Sequence, residues 1–266
     1  MIRLVVLGDP VGHSLSPRLH AAALAALSIE GTYEARRVDG AGMKSAAEEM
    51  RRGALDGANI TMPHKGIAAV LADELDPISE RTGSVNTWVR DAGRLVVYST
   101  DGQGVRFAIR HAGLPESGPV LILGSGGAAA AAAAALTDRS LFLSARREEA
   151  AAGLVERLNS TTTVLPWGTA VDGALVINAT PLGLGGEELP AGVVESATGL
   201  LDMVYRATMT PAVAEATRRG IPATDGVPML VGQALESFRL WTGREVPPAV
   251  MLEAVNVSSS TADGPK

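Results

Sequence analysis

Residues 120–136 read VLILGSGGAAAAAAAAL. An aliphatic run, a cluster of small residues and a stretch of alanine predict a buried strand over 120–123, a tight turn and a helix over 126–136. Alanine is the strongest helix former and carries only a methyl group, so this helix can pack close against its sheet. A strand that ends in glycine and passes at once into a helix constrains everything after it. The next strand returns parallel to the first, and a parallel sheet needs helices on its faces.

The rest of the sequence follows that pattern. Before the glycine turn, strands are expected at 2–7, 32–38 and 57–61, with helices at 17–28, 43–52, 66–72 and 77–82. NTWVR and RLVVYS flank Asp91-Ala92-Gly93 as a hairpin. A helix over 103–113 and the turn PESGP lead into the second series. There, strands are expected at 141–143, 174–178 and 199–204, with helices at 147–158, 211–219 and 228–242. The chain is an α/β protein of 266 residues, long enough for one large domain or two modest ones. The polar tail VSSSTADGPK is expected to be disordered.

Gly124, Gly126 and Ala129 fit G-x-G-x-x-G/A in its proper strand–turn–helix setting. Glycines there let the backbone approach a pyrophosphate, whose charge the helix N-terminus stabilises. Close helix–strand packing without a ligand would use the same residues. An NAD site places an acidic residue at the end of the next strand. This chain has Ser144-Ala145-Arg146-Arg147 instead. Guanidinium groups bind phosphate in bidentate fashion and stack on adenine, so the sequence favours NADP. Glu148 and Glu149, next in line, weigh against that preference.

Composition excludes several classes. The formal charge is −6 with no basic block, which argues against a nucleic-acid partner. The chain has no cysteine, so disulfides, thiol catalysis and cysteine-bound metals are excluded, and a reducing compartment, the cytoplasm, is expected. His13, His20, His64 and His111 show no ligand pairing, and no metal site is expected. No signal peptide and no membrane span are expected.

Four polar stretches sit at strand–loop boundaries, where open α/β sheets bind ligands. GDPVGHSLSP, residues 8–17, carries Ser14 and Ser16 just before a proline-started helix. Ser16 reads as an N-cap, or the two hydroxyls and the helix terminus read as a carboxylate site. On this loop alone the two readings stand level. NITMPHKG carries Asn59, Thr61 and Lys65, GSVNT carries Asn86, and YSTDGQG carries Asp101. Together they describe a pocket for a polyhydroxylated acid. Lys65 and Asp101 are the natural pair for proton transfer to a carbonyl that receives hydride, although a plain salt bridge would use the same two groups.

The ordered set GDPVGHSLSP, NITMPHK, GSVNT, STDGQG, GSGGA, INATPLGL, DMVY and DGVPMLVGQALESFRLWTG resembles the shikimate dehydrogenase family over roughly residues 3–255. The resemblance implies reversible, NADP-dependent reduction of 3-dehydroshikimate to shikimate in aromatic amino-acid biosynthesis. It implies an N-terminal α/β substrate domain, 1–101 plus 226–266, and a Rossmann-like NADP-binding domain, 102–225. Substrate and cofactor would meet in the cleft between them, with interdomain closure expected. Ser14 and Ser16 would bind the substrate carboxylate. Asn59, Thr61, Asn86 and Gln233 would meet its hydroxyls, Tyr205 would lie near it, and Lys65 and Asp101 would be catalytic. Met203 and Gly226 would approach the nicotinamide. Gly124, Ser125, Gly126, Gly127 and Ala128 would lie on the pyrophosphate, with Arg146 and Arg147 at the 2′-phosphate. The family includes monomers and homodimers.

The sequence departs from the family pattern at His20-Ala21, where His-Asn is common, at Ser99-Thr100-Asp101 for Asn-Thr-Asp, and at Tyr205-Arg206-Ala207 for Tyr-x-Pro. Ala145-Arg146-Arg147 replaces Asn-Arg-Thr, which keeps one matching arginine and adds another. The nearest alternatives are a quinate/shikimate or an aminoshikimate dehydrogenase. Methylenetetrahydrofolate dehydrogenases share the two-domain plan but need no Ser-x-Ser loop. A nucleotide-sensing protein without activity would not need Lys65, Asp101 and Gln233.

Overall fold

The computed structural model describes residues 1–256. The tail expected to be disordered lies outside the described residues. The chain divides into two compact units, one of Met1–Thr100 with the chain from Gln233 onward, the other of Asp101–Gly232.

The first unit begins with β1 (Ile2–Gly8), α1 (Ser16–Ala26), β2 (Gly31–Arg37), α2 (Gly40–Arg51) and β3 (Gly57–Ile60). It continues with α3 (Lys65–Val70), β4 (Glu74–Leu75), α4 (Pro77–Thr82), β5 (Thr87–Asp91) and β6 (Arg94–Tyr98). The sheet order is β2-β1-β3-β5-β6-β4. The β1–β2, β1–β3 and β4–β6 pairs are parallel, and β5 runs antiparallel to both of its neighbours. Side chains of β1 alternate between two cores, as a period of two requires. Val5 and Leu7 pack with Met43, Ala46 and Met50 of α2, while Leu4 and Val6 pack with Tyr33 on the other face. Asp39 starts α2 by accepting from Gly42 N at 2.8 Å, and Asp76 starts α4 by accepting from Ile78 N and Ser79 N. Gly83, at φ 63°, ends α4 in the left-handed conformation that suits glycine.

The second unit contains α5 (Asp101–His111), β7 (Val120–Leu123), α6 (Gly127–Ala135), β8 (Leu141–Ser144), α7 (Glu148–Leu158) and β9 (Thr163–Leu165). After these come β10 (Ala174–Asn178), β11 (Ala197–Asp202), α8 (Pro211–Arg218) and β12 (Ala223–Thr224). All strand pairs are parallel, in the order β12-β11-β10-β7-β8-β9. Numbered within the unit and read from the β9 edge, this is 3-2-1-4-5-6, the doubly wound order whose direction reverses between β7 and β10. Val120 and Ile122 face one core with the alanines of α6; Leu121 and Leu123 face the other with Val193 and Val213. Two helices complete the described residues, α9 (Val227–Thr242) and α10 (Pro248–Asn256). Met229, in the first turn of α9, packs into the second unit's core. The division between units therefore falls within α9, at 232/233.

The sequence reading missed β4, β9, β12 and α10. The three strands are two or three residues long and all lie at sheet edges, where half the pairing is absent and little periodicity accumulates.

Candidate active site

In the first unit, the sheet order reverses between β1 and β3, and two loops leave their carboxyl ends side by side. Asp9 N donates to Met62 O at 3.0 Å and Thr61 N to Leu7 O at 2.9 Å. A Cβ on Gly8 would overlap the Thr61 methyl group, so glycine is what permits this approach. The two loops carry Ser14 and Thr61, and the helices that follow them open with Ser16 and Lys65.

Ser16 does not act as an N-cap. The helix begins at Ser16 itself, Leu15 occupies the cap position, and no side chain caps it. Proline at position 17 fixes the first turn, and Ser14 Oγ accepts from Ser16 N at 3.3 Å. The Ser16 side chain is buried. Lys65 is half-buried and opens α3. His64, just before it, is buried and bonds through Nε2 to Val38 O at 2.7 Å, which anchors the start of that helix. A carbonyl partner assigns the proton to Nε2.

β5 starts where β3 ends, because Thr87 pairs with Asn59, and β6 ends beside it, because Thr87 pairs with Tyr98. This brings Asn59, Asn86, Thr87 and Thr100 to one sheet end. Asn59 Nδ2 donates to Asn86 O at 3.2 Å, Thr87 Oγ1 at 3.1 Å and Ser237 Oγ at 3.0 Å, while its Oδ1 accepts from Tyr33 Oη at 2.7 Å. Asn86 Nδ2 donates to Thr100 Oγ1 at 3.0 Å and Gln233 Oε1 at 3.1 Å. Its Oδ1 accepts from Thr100 N at 2.9 Å and Thr87 Oγ1 at 3.1 Å. Gln233 and Ser237 lie one turn apart on α9, and Ser237 Oγ donates to Gln233 O at 3.0 Å. Each polar group fixes the next, so the carboxamides are set in one orientation.

Behind this network lies His20, fully buried and stacked on Tyr33 at 4.3 Å between ring centroids, with Phe238 and Trp241 completing an aromatic cage. Neither ring nitrogen has a hydrogen-bond partner among the described residues. Burial pushes the imidazole down to about 3, with the neighbouring Asn59 side chain offsetting part of that shift.

In the second unit, Gly124 follows β7 with φ 113°, and a Cβ there would stand 2.9 Å from Ala179 O. Glycine alone suits both constraints. Gly126 is the N-cap of α6, no side chain caps it, and a Cβ there would meet nothing within 4 Å. Gly127 and Ala128 form the first turn of α6. The uncapped helix end faces outward with free N–H groups, as an anion site does. Gly124, Ser125, Arg146 and Arg147 line one cavity of about 510 Å³, together with Ala145, Trp167, Glu187 and residues 180–182.

Asp101 is buried at the start of α5. Met203 follows β11, and its N–H donates to Asn178 O at 3.0 Å. Gly226 N donates to Val204 O at 3.1 Å, and a Cβ on Gly226 would overlap Met203 O. Tyr205 is half-buried beside this contact, its phenol pushed up by burial. Asp202 is fully buried and takes Asn178 Nδ2, Thr210 Oγ1 and Val204 N, which holds the chain at the end of β11. Burial pushes its carboxyl up.

Sequence reading did not single out Tyr33, Thr87, Ser237 or Trp167. Tyr33 and Trp167 each belong to a set of three of their kind in an aromatic-poor chain, and Ser237 lies one helical turn beyond Gln233. Those were the available signals.

Residues 6–88 match the model of the shikimate dehydrogenase substrate binding domain, and residues 226–255 that of the shikimate 5′-dehydrogenase C-terminal domain. The chain is 39% identical over 259 residues to a shikimate dehydrogenase (NADP(+)) of Thermus thermophilus, covering 96% of this chain and 97% of the relative. Its fold is similar to the crystal structure of a shikimate 5-dehydrogenase from another strain of Thermus thermophilus in complex with NADP(H) and shikimate, at TM-score 0.89 and 37% identity over 97% of this chain and 100% of the other. It is also similar to a shikimate 5-dehydrogenase of Listeria monocytogenes in complex with shikimate and NAD, at TM-score 0.84 and 28% identity over 96% of each.

Proposed function

The chain belongs to the shikimate dehydrogenase family, and we propose that it catalyses the reversible, NADP-dependent reduction of 3-dehydroshikimate to shikimate in aromatic amino-acid biosynthesis. The observation that carries the reading is the network of Asn59, Asn86 and Gln233. It presents fixed amides and hydroxyls next to two loops bearing serines and a lysine, which suits a ring with several hydroxyls and one carboxylate.

We assign Ser14 and Ser16 to the carboxylate and Thr61, Asn59, Asn86 and Gln233 to the hydroxyls, with Tyr205 nearby. A site built from hydrogen-bond donors and acceptors rejects analogues that lack the matching groups, because its own polar atoms are then left without partners. Lys65 holds the proton that the carbonyl oxygen takes up on reduction. On the return reaction Lys65 takes that proton back, with Asp101 assigned as its partner in the transfer.

The second unit fits a dinucleotide. Gly124 and Gly126 keep the turn bare, the α6 terminus is uncapped, and two arginines line the same cavity. Gly124, Ser125, Gly126, Gly127 and Ala128 would hold the pyrophosphate, Arg146 and Arg147 the 2′-phosphate, and Met203 and Gly226 the nicotinamide end. NADPH supplies the hydride when bound. The substrate domain then comprises the N-terminal unit with the end of α9 and α10, and the Asp101–Gly232 unit binds NADP. No helix among the described residues is long and apolar enough to cross a membrane. With no cysteine and a biosynthetic role, we place the enzyme in the cytoplasm.

Initial rates of shikimate and quinate oxidation, each with NADP and with NAD, test this reading. A large preference for shikimate with NADP is expected. Comparable rates with quinate and NAD would assign the chain to a quinate/shikimate dehydrogenase, and no rate in any combination would remove the reading.

A further inference from the structure

We propose that Trp167 is a positioning residue for cofactor choice: it holds the Arg146 guanidinium flat, with its donors presented to a 2′-phosphate. The proposal rests on the NADP reading above. Arg146 Cζ lies 5.5 Å from the centroid of the Trp167 ring, and both side chains line the same cavity. Arg146 is exposed and forms no ion pair among the described residues. A guanidinium face on an indole is attracted by the ring's quadrupole, and stacking leaves all the in-plane N–H groups at its edge for a bidentate acceptor. An exposed arginine loses rotamer freedom when it captures a phosphate. One already lying on a ring has given up part of that freedom beforehand.

The loop that carries Trp167 is itself fixed. Ser144, fully buried at the end of β8, donates from Oγ to Pro166 O at 3.0 Å and accepts from Gly168 N at 2.9 Å. One hydroxyl thus clamps the backbone on both sides of Trp167, and it belongs to the residue two positions before Arg146. The strand end that launches the arginine and the loop that supports it form one rigid piece. Gly168, at φ 81°, gives the loop the turn this requires. The carboxylate lining the cavity, that of Glu187, is occupied elsewhere, accepting from Gly185 N at 3.0 Å and Gly183 N at 3.2 Å.

The test measures dissociation constants of NADP and NAD for the whole enzyme and for Trp167→Leu, Arg146→Ala, Arg146→Lys and the Trp167→Leu/Arg146→Ala double variant. Trp167→Leu is expected to weaken NADP about two- to fivefold, the size of an exposed cation–π contact, and to leave NAD unchanged. In the Arg146→Ala background it is expected to change the NADP/NAD ratio no further. Equal weakening of both cofactors, or an undiminished effect without Arg146, would overturn the proposal. If Trp167→Leu does not fold, Arg146→Lys decides: it keeps the charge at an exposed position and loses the planar stack, so wild-type discrimination in that variant would overturn it too. A wild-type enzyme that binds NAD as tightly as NADP would instead show that the cofactor reading itself fails.

Discussion

Asn86 Nδ2 donates to Gln233 Oε1 at 3.1 Å, although 147 positions separate the two residues. The bond ties the start of β5 to α9 and aims two carboxamides at one place. Gln233→Ala takes one acceptor away from Asn86 and removes a group assigned to a substrate hydroxyl. We expect the KM for shikimate to rise about three- to tenfold, the worth of one or two neutral hydrogen bonds, with the KM for NADP unchanged. Initial-rate kinetics with each substrate varied in turn checks this. An unchanged shikimate KM would leave Gln233 a purely structural role.

Lys65→Ala removes the proton donor and leaves the polar network in place. The variant is expected to fold, to bind shikimate within a few-fold of wild type, and to lose about 10²- to 10⁴-fold in kcat. Calorimetric binding alongside turnover separates the two effects. Near-normal turnover would take Lys65 out of the chemistry.

Local patterns carry the glycine turn, the strand–helix alternation and the hairpin at 91–93, because each depends on neighbours in the sequence. They placed the longer strands and the helices of the second unit to within a few residues, while its short edge strands β9 and β12 escaped. What they could not carry was long-range partnership. Asn59 meets Ser237 178 positions away and Tyr33 26 positions away, and no periodicity announces either contact. Ser16 shows the same limit on a smaller scale. A serine before proline has the right identity for a cap, but the helix starts at that serine, Leu15 takes the cap position and the hydroxyl caps nothing. Trp167 gave no local signal either, since its partner Arg146 comes from the neighbouring strand.

His20 makes stability depend on pH. The unfolded chain protonates this imidazole near 6.5, while the folded protein resists until about 3. Between those values the unfolded state binds more protons, so stability present at neutral pH is lost as pH falls through this window. The slope contributed by His20 approaches about 1.4 kcal/mol per pH unit below the unfolded value. Asp73, held below the ordinary carboxylate range by Arg51, adds its own loss from that range downward, at the acid end of the same window. Urea unfolding at pH 6.5 and 4.5 should therefore show a fall in wild type that exceeds the fall in a His20-free variant by about 2–3 kcal/mol. His20→Leu, with no ionisable ring, should show a flatter profile. An equal fall in both proteins would rule out His20 as the source.

Gly226 is set by space rather than by backbone angle. A Cβ at this position would overlap Met203 O, and a backbone carbonyl cannot swing aside as a flexible side chain can. Gly226→Ala must push apart the two segments assigned to the nicotinamide end of the cofactor. We expect a loss of about 1–3 kcal/mol in stability, the usual range for overpacking. We also expect the KM values for NADP and NAD to rise together, since both carry the same nicotinamide. That parallel rise distinguishes this site from Arg146, where loss of the guanidinium should fall on NADP alone. Thermal unfolding and initial rates with both cofactors check it. A Gly226→Ala enzyme with wild-type KM for both would show that the Met203–Gly226 approach has no part in holding the cofactor.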